Sequence, residues 1–278
     1  MRRSGALTTG ARVLPDVATL VGIRVHPIKA LDPVERECTV VSPVGGLDGD
    51  RAYAIVDADG EYVNGKRTDA VHRLRSDVDL DAGLVRLGER GSEALEAFHL
   101  PEHRARLADW LSAYFGLDVD VESAPGGELT DSAVLGGDPP GATVVSTATL
   151  ETVASWFPGL DIEDVRRRFR ANLEVEGVPA FWEDGLVADG GVRFLIGDVA
   201  FQAVEPVPRC VVPTRDPDTG EVTDGFRERF IRKRESTLPA DADPAVFEHP
   251  NVLTVLAEPD ADDRGEAIAV GDSVELLD

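Results

Sequence analysis

The sequence predicts a mainly β protein with a few helices, of the α+β class. Three observations predict it. Short β-branched runs, bounded by glycine, proline and aspartate turns, recur towards both ends of the 278-residue chain. Helical spacing of apolar residues is confined to residues 92–115 and 147–169. No internal repeat or low-complexity tract points to a solenoid or an array.

The elements follow in order. The first 18 residues are small and polar and are expected to form a flexible tail. Residues 20–25 (Leu-Val-Gly-Ile-Arg-Val) and 37–41 (Glu-Cys-Thr-Val-Val) read as strands. A glycine- and proline-rich loop over 42–49 leads to a strand at 51–56, and Asp57-Ala-Asp-Gly60 turns the chain into 61–63. Strands are also expected at 78–80 and 84–87, and closely spaced short strands suggest a small barrel or sandwich.

Over 92–115, Leu95, Phe98, Leu107, Trp110, Leu111 and Phe115 include helical spacings interrupted by Pro101, predicting one or two helices. Residues 124–141 read as a long loop. After a strand at 142–146, Thr147 or Thr149 is expected to cap one helix running through Trp156. Asp161 is expected to cap a second helix, 162–169, with Glu163 and Asp164 favourable in its first turn. Strands return at 172–176, 192–196, 199–204, 252–257 and 274–277.

Charge sets the next constraint. The chain holds 52 acidic against 28 basic residues, a net charge of −24, which repels nucleic acid and anionic membranes. The acids are spread along the whole chain, favouring adaptation to a salty cytosol over a local docking face for a basic redox partner. Cys38 and Cys210, the two cysteines, are too few for a four-cysteine iron–sulfur site. No run approaches the roughly 20 apolar residues of a membrane span, and the N-terminus has no apolar signal core. A cytoplasmic location is expected.

Residues 204–220 hold the most informative chemistry, Val-Glu-Pro-Val-Pro-Arg-Cys-Val-Val-Pro-Thr-Arg-Asp-Pro-Asp-Thr-Gly. Prolines 206, 208 and 213 argue for an extended or looped run around Cys210. A thiol on a stiffened loop beside Arg209 suits a thiolate, the form that attacks or binds metal. It equally suits a small buried hydrophobe, as most free cysteines are. Other motifs carry less. His99 and His103 lack a zinc-protease signature, the aspartate turns depart from the EF-hand spacing, and no phosphate-binding or dinucleotide fingerprint occurs. Basic residues do stand at loop positions: Lys29 in His26-Pro-Ile-Lys29, Arg51 in Gly49-Asp-Arg51, and Arg166-Arg-Arg-Phe-Arg170-Ala-Asn172. By itself that last run equally suits cations completing a helix C-terminus.

Together these segments resemble the MOSC-domain family, which takes its name from the C-terminal domain of molybdenum cofactor sulfurase and includes amidoxime-reducing molybdenum enzymes. Arg209-Cys210 with Pro213-Thr214 and Asp216-Pro-Asp-Thr-Gly220 resembles its cysteine signature. His26-Pro-Ile-Lys29 and Gly49-Asp-Arg51 resemble motifs of its N-terminal barrel, and Arg168-Phe-Arg170-Ala-Asn172 resembles one of the MOSC domain proper. Phe181-Trp-Glu-Asp184, Ile196-Gly-Asp198 and Val270-Gly-Asp272 complete the order, so the resemblance runs from about residue 19 to the end.

The resemblance implies an N-terminal small β-barrel (19–90), a helical connector (91–125) and a MOSC β-barrel (126–278). It implies a molybdenum–molybdopterin cofactor held by Lys29, Arg51, Arg170, Asn172 and Arg209, with Cys210 on the metal and in the catalytic role. The implied activity is reduction of an N-hydroxylated substrate by oxygen transfer. A separate ferredoxin or flavin reductase supplies electrons, since this chain has no iron–sulfur motif. A non-redox sulfur or cofactor carrier is the alternative, and no pyridoxal phosphate chemistry is expected. Cys38, on a strand, reads as structural. Three departures bear on substrate choice and affinity: Ala30 stands for the motif serine, Ala171 for its proline, and Val207-Pro208 for a Cys-Ser pair.

Overall fold

The computed structural model describes residues 18–100, 102–124, 141–239 and 245–277. Most of the expected tail, and residues 125–140 of the expected long loop, lie outside these. The first strands are β1 (Thr19–Val25), β2 (Val34–Arg36), β3 (Cys38–Val40) and β4 (Tyr53–Asp57). After the one-turn helix α1 (Ala70–Arg73) come β5 (Leu74–Asp79), β6 (Leu84–Glu89) and β7 (Glu96–His99). Helix α2 (Arg104–Phe115) leads to β8 (Val119–Ser123). The second half holds β9 (Ala142–Ser146), α3 (Thr147–Ser155), α4 (Ile162–Phe169) and β10 (Leu173–Glu176). It continues with β11 (Arg193–Ile196), β12 (Val199–Pro208), α5 (Phe226–Glu235), β13 (Val252–Pro259), β14 (Ala267–Ala269) and β15 (Val274–Leu276).

The largest sheet runs β15-β11-β12-β13-β9-β10-β1-β2. Its ends meet: Leu20 donates to the Asp272 carbonyl (2.9 Å), Val274 to that of Ala18 (2.8 Å), and Thr19 bridges Ser273. The first half of β1 thereby closes a barrel with the C-terminal segment, while its second half pairs with β2. Closure removes open strand edges. Inward residues such as Leu20, Val144, Leu173, Phe194, Phe201 and Val255 are fully buried and form the barrel core. Although β1 comes first in the chain, it belongs to the C-terminal barrel by hydrogen bonding.

A second core fills the smaller unit, between the β4–β8 pair, the β5-β6-β7 meander and α2. Residues 91–125, expected as a helical connector, here contain one helix flanked by β7 and β8, and Phe98, Leu107, Leu111 and Val121 pack into this core. The helix begins only at Arg104; before it, Phe98 is paired with Val85 across an antiparallel ladder.

Helices α3, α4 and α5 pack through a third cluster in which Phe157 stacks on Phe226 at 4.2 Å between ring centroids. Asp161 caps α4 as expected, in a reciprocal box with Asp164. The cap of α3 is Ser146 rather than either threonine, its hydroxyl accepting from Thr149 N at 3.1 Å. Helix α5 has only Phe226, Phe230 and Arg234 buried, and Arg234 Nη2 donates to both carboxylate oxygens of buried Asp184 (3.0 and 2.9 Å). Among the described residues no helix is long and apolar enough to cross a membrane.

Candidate functional site

Cys210 leaves the end of β12. The β12–β13 register shifts between Ala203 and Glu205 and again between Pro206 and Pro208, where proline gives the ladder no donor. The thiol is exposed, and Val212 N donates to its sulfur at 3.4 Å. Arg168, 3% exposed, supports the following turn from behind. It donates to the carbonyls of Pro213 (2.9 Å) and Arg215 and to the Thr223 hydroxyl (3.2 Å).

Arg209 is fixed by the protein's own acceptors. Its Nε donates to the Leu253 carbonyl (2.8 Å), Nη1 to that of Phe169 (3.1 Å), and Nη2 to Leu253 O and Thr254 Oγ1. Thr254 adopts φ +70°, a strained conformation for a β-branched residue. Burial pulls the Arg209 pKa down to about 10; the neighbouring Cys210 charge opposes this and Arg51 adds to it. The arginine therefore holds a fixed positive charge beside the sulfur, with its donors already engaged.

The opposite wall comes from the turn after β1. Lys29 N donates to the Tyr53 carbonyl (2.8 Å), and its ammonium lies 4.0 Å from the centroid of the Tyr62 ring. Arg51 N donates to the His26 carbonyl (2.8 Å). Between these strands sits Asp50, 2% exposed. Its Oδ1 accepts from His26 N (2.6 Å), and its Oδ2 accepts from Asn172 Nδ2 (3.1 Å) and Arg51. Burial alone raises the Asp50 pKa, but Arg51 and His26 outweigh it and the carboxyl ends below its ordinary value. His26 is held neutral, its pKa lowered to about 3 by burial and then by Arg170.

Arg170 ends α4 in a left-handed conformation (φ +56°) and donates to the Leu31 carbonyl at 2.7 Å, joining the two units. Burial, and then Arg51, lowers its pKa to about 10. Ala30 (φ +73°) and Arg51 (φ +49°) share this backbone region, so strained residues cluster at the junction.

These groups enclose a cavity of about 310 Å³ between the units, within the usual range for small-molecule sites. Lys29, Arg51, Arg170, Arg209 and Cys210 all line it. Asn172 stands behind the wall, fully buried, where its amide ties the Arg24 carbonyl, Asp50 and Thr143 together. In the structure it positions the junction and does not face the cavity.

Residues 17–117 match the model of the MOSC N-terminal beta barrel domain, and residues 131–275 match that of the MOSC domain. The chain belongs to the MOSC-domain family. A 62-residue stretch is 37% identical to molybdenum cofactor sulfurase of Caenorhabditis briggsae, covering 22% of this chain and 8% of that much longer protein. The crystal structure of APC1665, the YUAD protein from Bacillus subtilis, matches over 94% of this chain and 95% of its own. The two share 11% sequence identity, with a TM-score of 0.37.

In this MOSC protein the family boundary falls between the two matched segments, yet β1 crosses it to complete the MOSC barrel. That crossing carries the His26–Lys29 turn to the cavity. Sequence reasoning passed over His26, Asp50 and Arg215, which also shape the site. His26 and Asp50 lie inside quoted motifs, and an aspartate beside an arginine at a glycine loop was the available signal. Arg215 carried none beyond its closeness to Cys210. Cys38 lies on β3 against Ala269 of β14, away from the cavity wall.

Proposed function

We propose that this chain binds a molybdenum–molybdopterin cofactor in the interunit cavity and acts as an oxidoreductase on N-hydroxylated substrates. One observation carries the reading: an exposed thiol on a cavity wall to which Lys29, Arg51 and Arg170 bring cations from distant parts of the chain. The donor set fits the group. Among the described residues no cluster of three or more His, Cys, Asp or Glu is placed to hold a metal by itself. A metal whose other ligands come with its pterin needs one soft thiolate, which Cys210 offers.

When bound, the cofactor supplies oxygen-atom transfer and two-electron redox chemistry. The chain supplies the rest. Lys29, Arg51 and Arg170 receive the pterin phosphate, as ammonium and guanidinium groups suit a phosphate oxyanion. Arg209 keeps a positive charge beside Cys210. The Asp50–Asn172 pair holds Arg51 and the β1 turn in register across the unit boundary. Electrons come from a separate ferredoxin or flavin reductase.

Metal analysis tests this first. Protein purified from a cofactor-competent host is expected to contain molybdenum and pterin in near-equal amounts, and Cys210→Ala to lose the metal. With an artificial electron donor, the loaded protein is expected to reduce an amidoxime or hydroxylamine. The sulfurase match favours a second reading, a sulfur or cofactor carrier. A Cys210 that takes up sulfur as persulfide but holds no metal would support it.

A further inference from the structure

The cavity wall carries more positive charge than one phosphate neutralises. Five of its arginines have carboxylate partners: Arg24 with Glu35 and Glu174, Arg51 with Asp50, Arg90 with Asp32, Arg166 with Glu174, and Arg167 with Asp218. Four others form no ion pair among the described residues. The hydrogen bonds of Arg168, Arg170, Arg209 and Arg215 end on carbonyl oxygens or threonine hydroxyls.

Acids do stand near two of them, but they are engaged. Arg170 feels Asp32 and Asp50, which already serve Arg90 and Arg51. Arg168 feels Asp216 and Asp164, which accept from backbone amides of their own turns. Burying a charge without a counter-charge is costly, and burial lowers the pKa of Arg168, Arg170 and Arg209. A phosphate monoester brings at most about two negative charges. Arg209 faces Cys210, but Arg168, Arg170 and Arg215 still exceed that charge.

The excess has a location. Arg215 follows Cys210 on the same turn, and Arg168 donates to its carbonyl. Arg215 uses one guanidinium nitrogen on the Gly220 carbonyl (2.9 Å), and its Nε is sealed from solvent with no partner. The Nε of Arg168, on a side chain 3% exposed, is unpartnered as well. Arg215 thus brings to the cavity wall, with Arg168 bonded to its backbone, a charge that no carboxylate among the described residues pairs.

We propose that Arg215, backed by Arg168, forms a second anion subsite of this cavity, taking a phosphate or carboxylate in addition to the pterin phosphate. The inference builds on the cofactor reading for its first anion. The second anion has two possible sources, a nucleotide extension of the pterin or an anionic substrate, and both present the same oxyanion chemistry.

Equilibrium dialysis of the cofactor-free full chain against labelled inorganic phosphate tests the subsite. Two phosphates per chain are expected at saturation for the wild type, and one each for Arg215→Gln and Lys29→Gln. Arg215→Lys, which keeps the charge and guards against a folding artefact, is expected to retain two. One phosphate in the wild type, or two in Arg215→Gln, overturns the proposal. On loaded protein, one nucleotide released per molybdenum assigns the subsite to the cofactor. If none is released, Arg215→Gln is expected to lower kcat/KM about tenfold for a carboxylate-bearing hydroxylamine while sparing its methyl ester. Equal treatment of acid and ester, with no nucleotide, also overturns it. Absence of molybdenum alongside two bound phosphates sinks the cofactor reading and leaves the subsite standing.

Discussion

Replacing Glu183 by glutamine should make the protein more stable, and increasingly so as pH rises. Glu183 is 1% exposed, at the start of the short helix Trp182–Gly190. Neither carboxyl oxygen completes a hydrogen bond, although the Thr149 hydroxyl stands beside it. Burial, and then the adjacent Asp184, raises its pKa from 4.5 to about 7. The folded state therefore holds this proton between those values while the unfolded state releases it. Stability is full below the unfolded pKa, falls as pH rises from about 4.5 towards 7, and is flat above. At 1.36 kcal/mol per unit, the loss between pH 5 and pH 8 is about 2.5 kcal/mol. Glutamine keeps the shape without the charge and escapes that loss. Thermal unfolding of wild type and Glu183→Gln at several pH values measures the gap. It should widen by roughly 5 °C from pH 5 to pH 8, given the usual few degrees per kcal/mol for a chain of this size. Parallel curves, or a gap that narrows with pH, would refute the reasoning.

Other perturbations test the junction. Asp50→Ala leaves the His26 amide without its acceptor and frees Arg51, and should cost about 2–4 kcal/mol in chemical denaturation. Ala30→Gly relieves a left-handed backbone (φ +73°) and should raise stability by about 0.5–1 kcal/mol, read from the denaturation midpoint. Gly220→Ala is expected to do the reverse. Gly220 has φ +76°, and an added Cβ would meet Asp69 backbone at 2.9 Å, forcing the cysteine turn away from the smaller unit. A loss of about 2 kcal/mol or more, with reduced pterin content per folded protein, is the expected result.

What the sequence revealed follows how local each determinant is. The Asp161 cap and the span of α4 were legible because a capping box lies within four residues. The strand character of residues 19–25 was legible too, but its neighbours were not, since pairing with β10 and the last strands is decided 150 residues away and beyond. Helix α5 escaped notice because its apolar signal is two phenylalanines in a charged run, and its inner face includes Arg234, hidden against Asp184. At the site, the family resemblance named Lys29, Arg51, Arg170, Arg209 and Cys210, and all five line the cavity. They could not tell which polar group faces inward. Asn172 has chemistry suited to a ligand, yet the structure uses all of it to lock Asp50 and the backbones of β1 and β9.

The contribution of β1 to the barrel has a consequence for biogenesis. The strand leaves the ribosome well before the residues that seal it, Gly271 to Val274. Until then the chain cannot complete the hydrophobic ring around Leu20, and forming so distant a pairing carries a high loop-closure entropy. The Lys29 turn is tethered to that strand, so the half-site it bears comes into register with Cys210 only once residues 271–274 have been made.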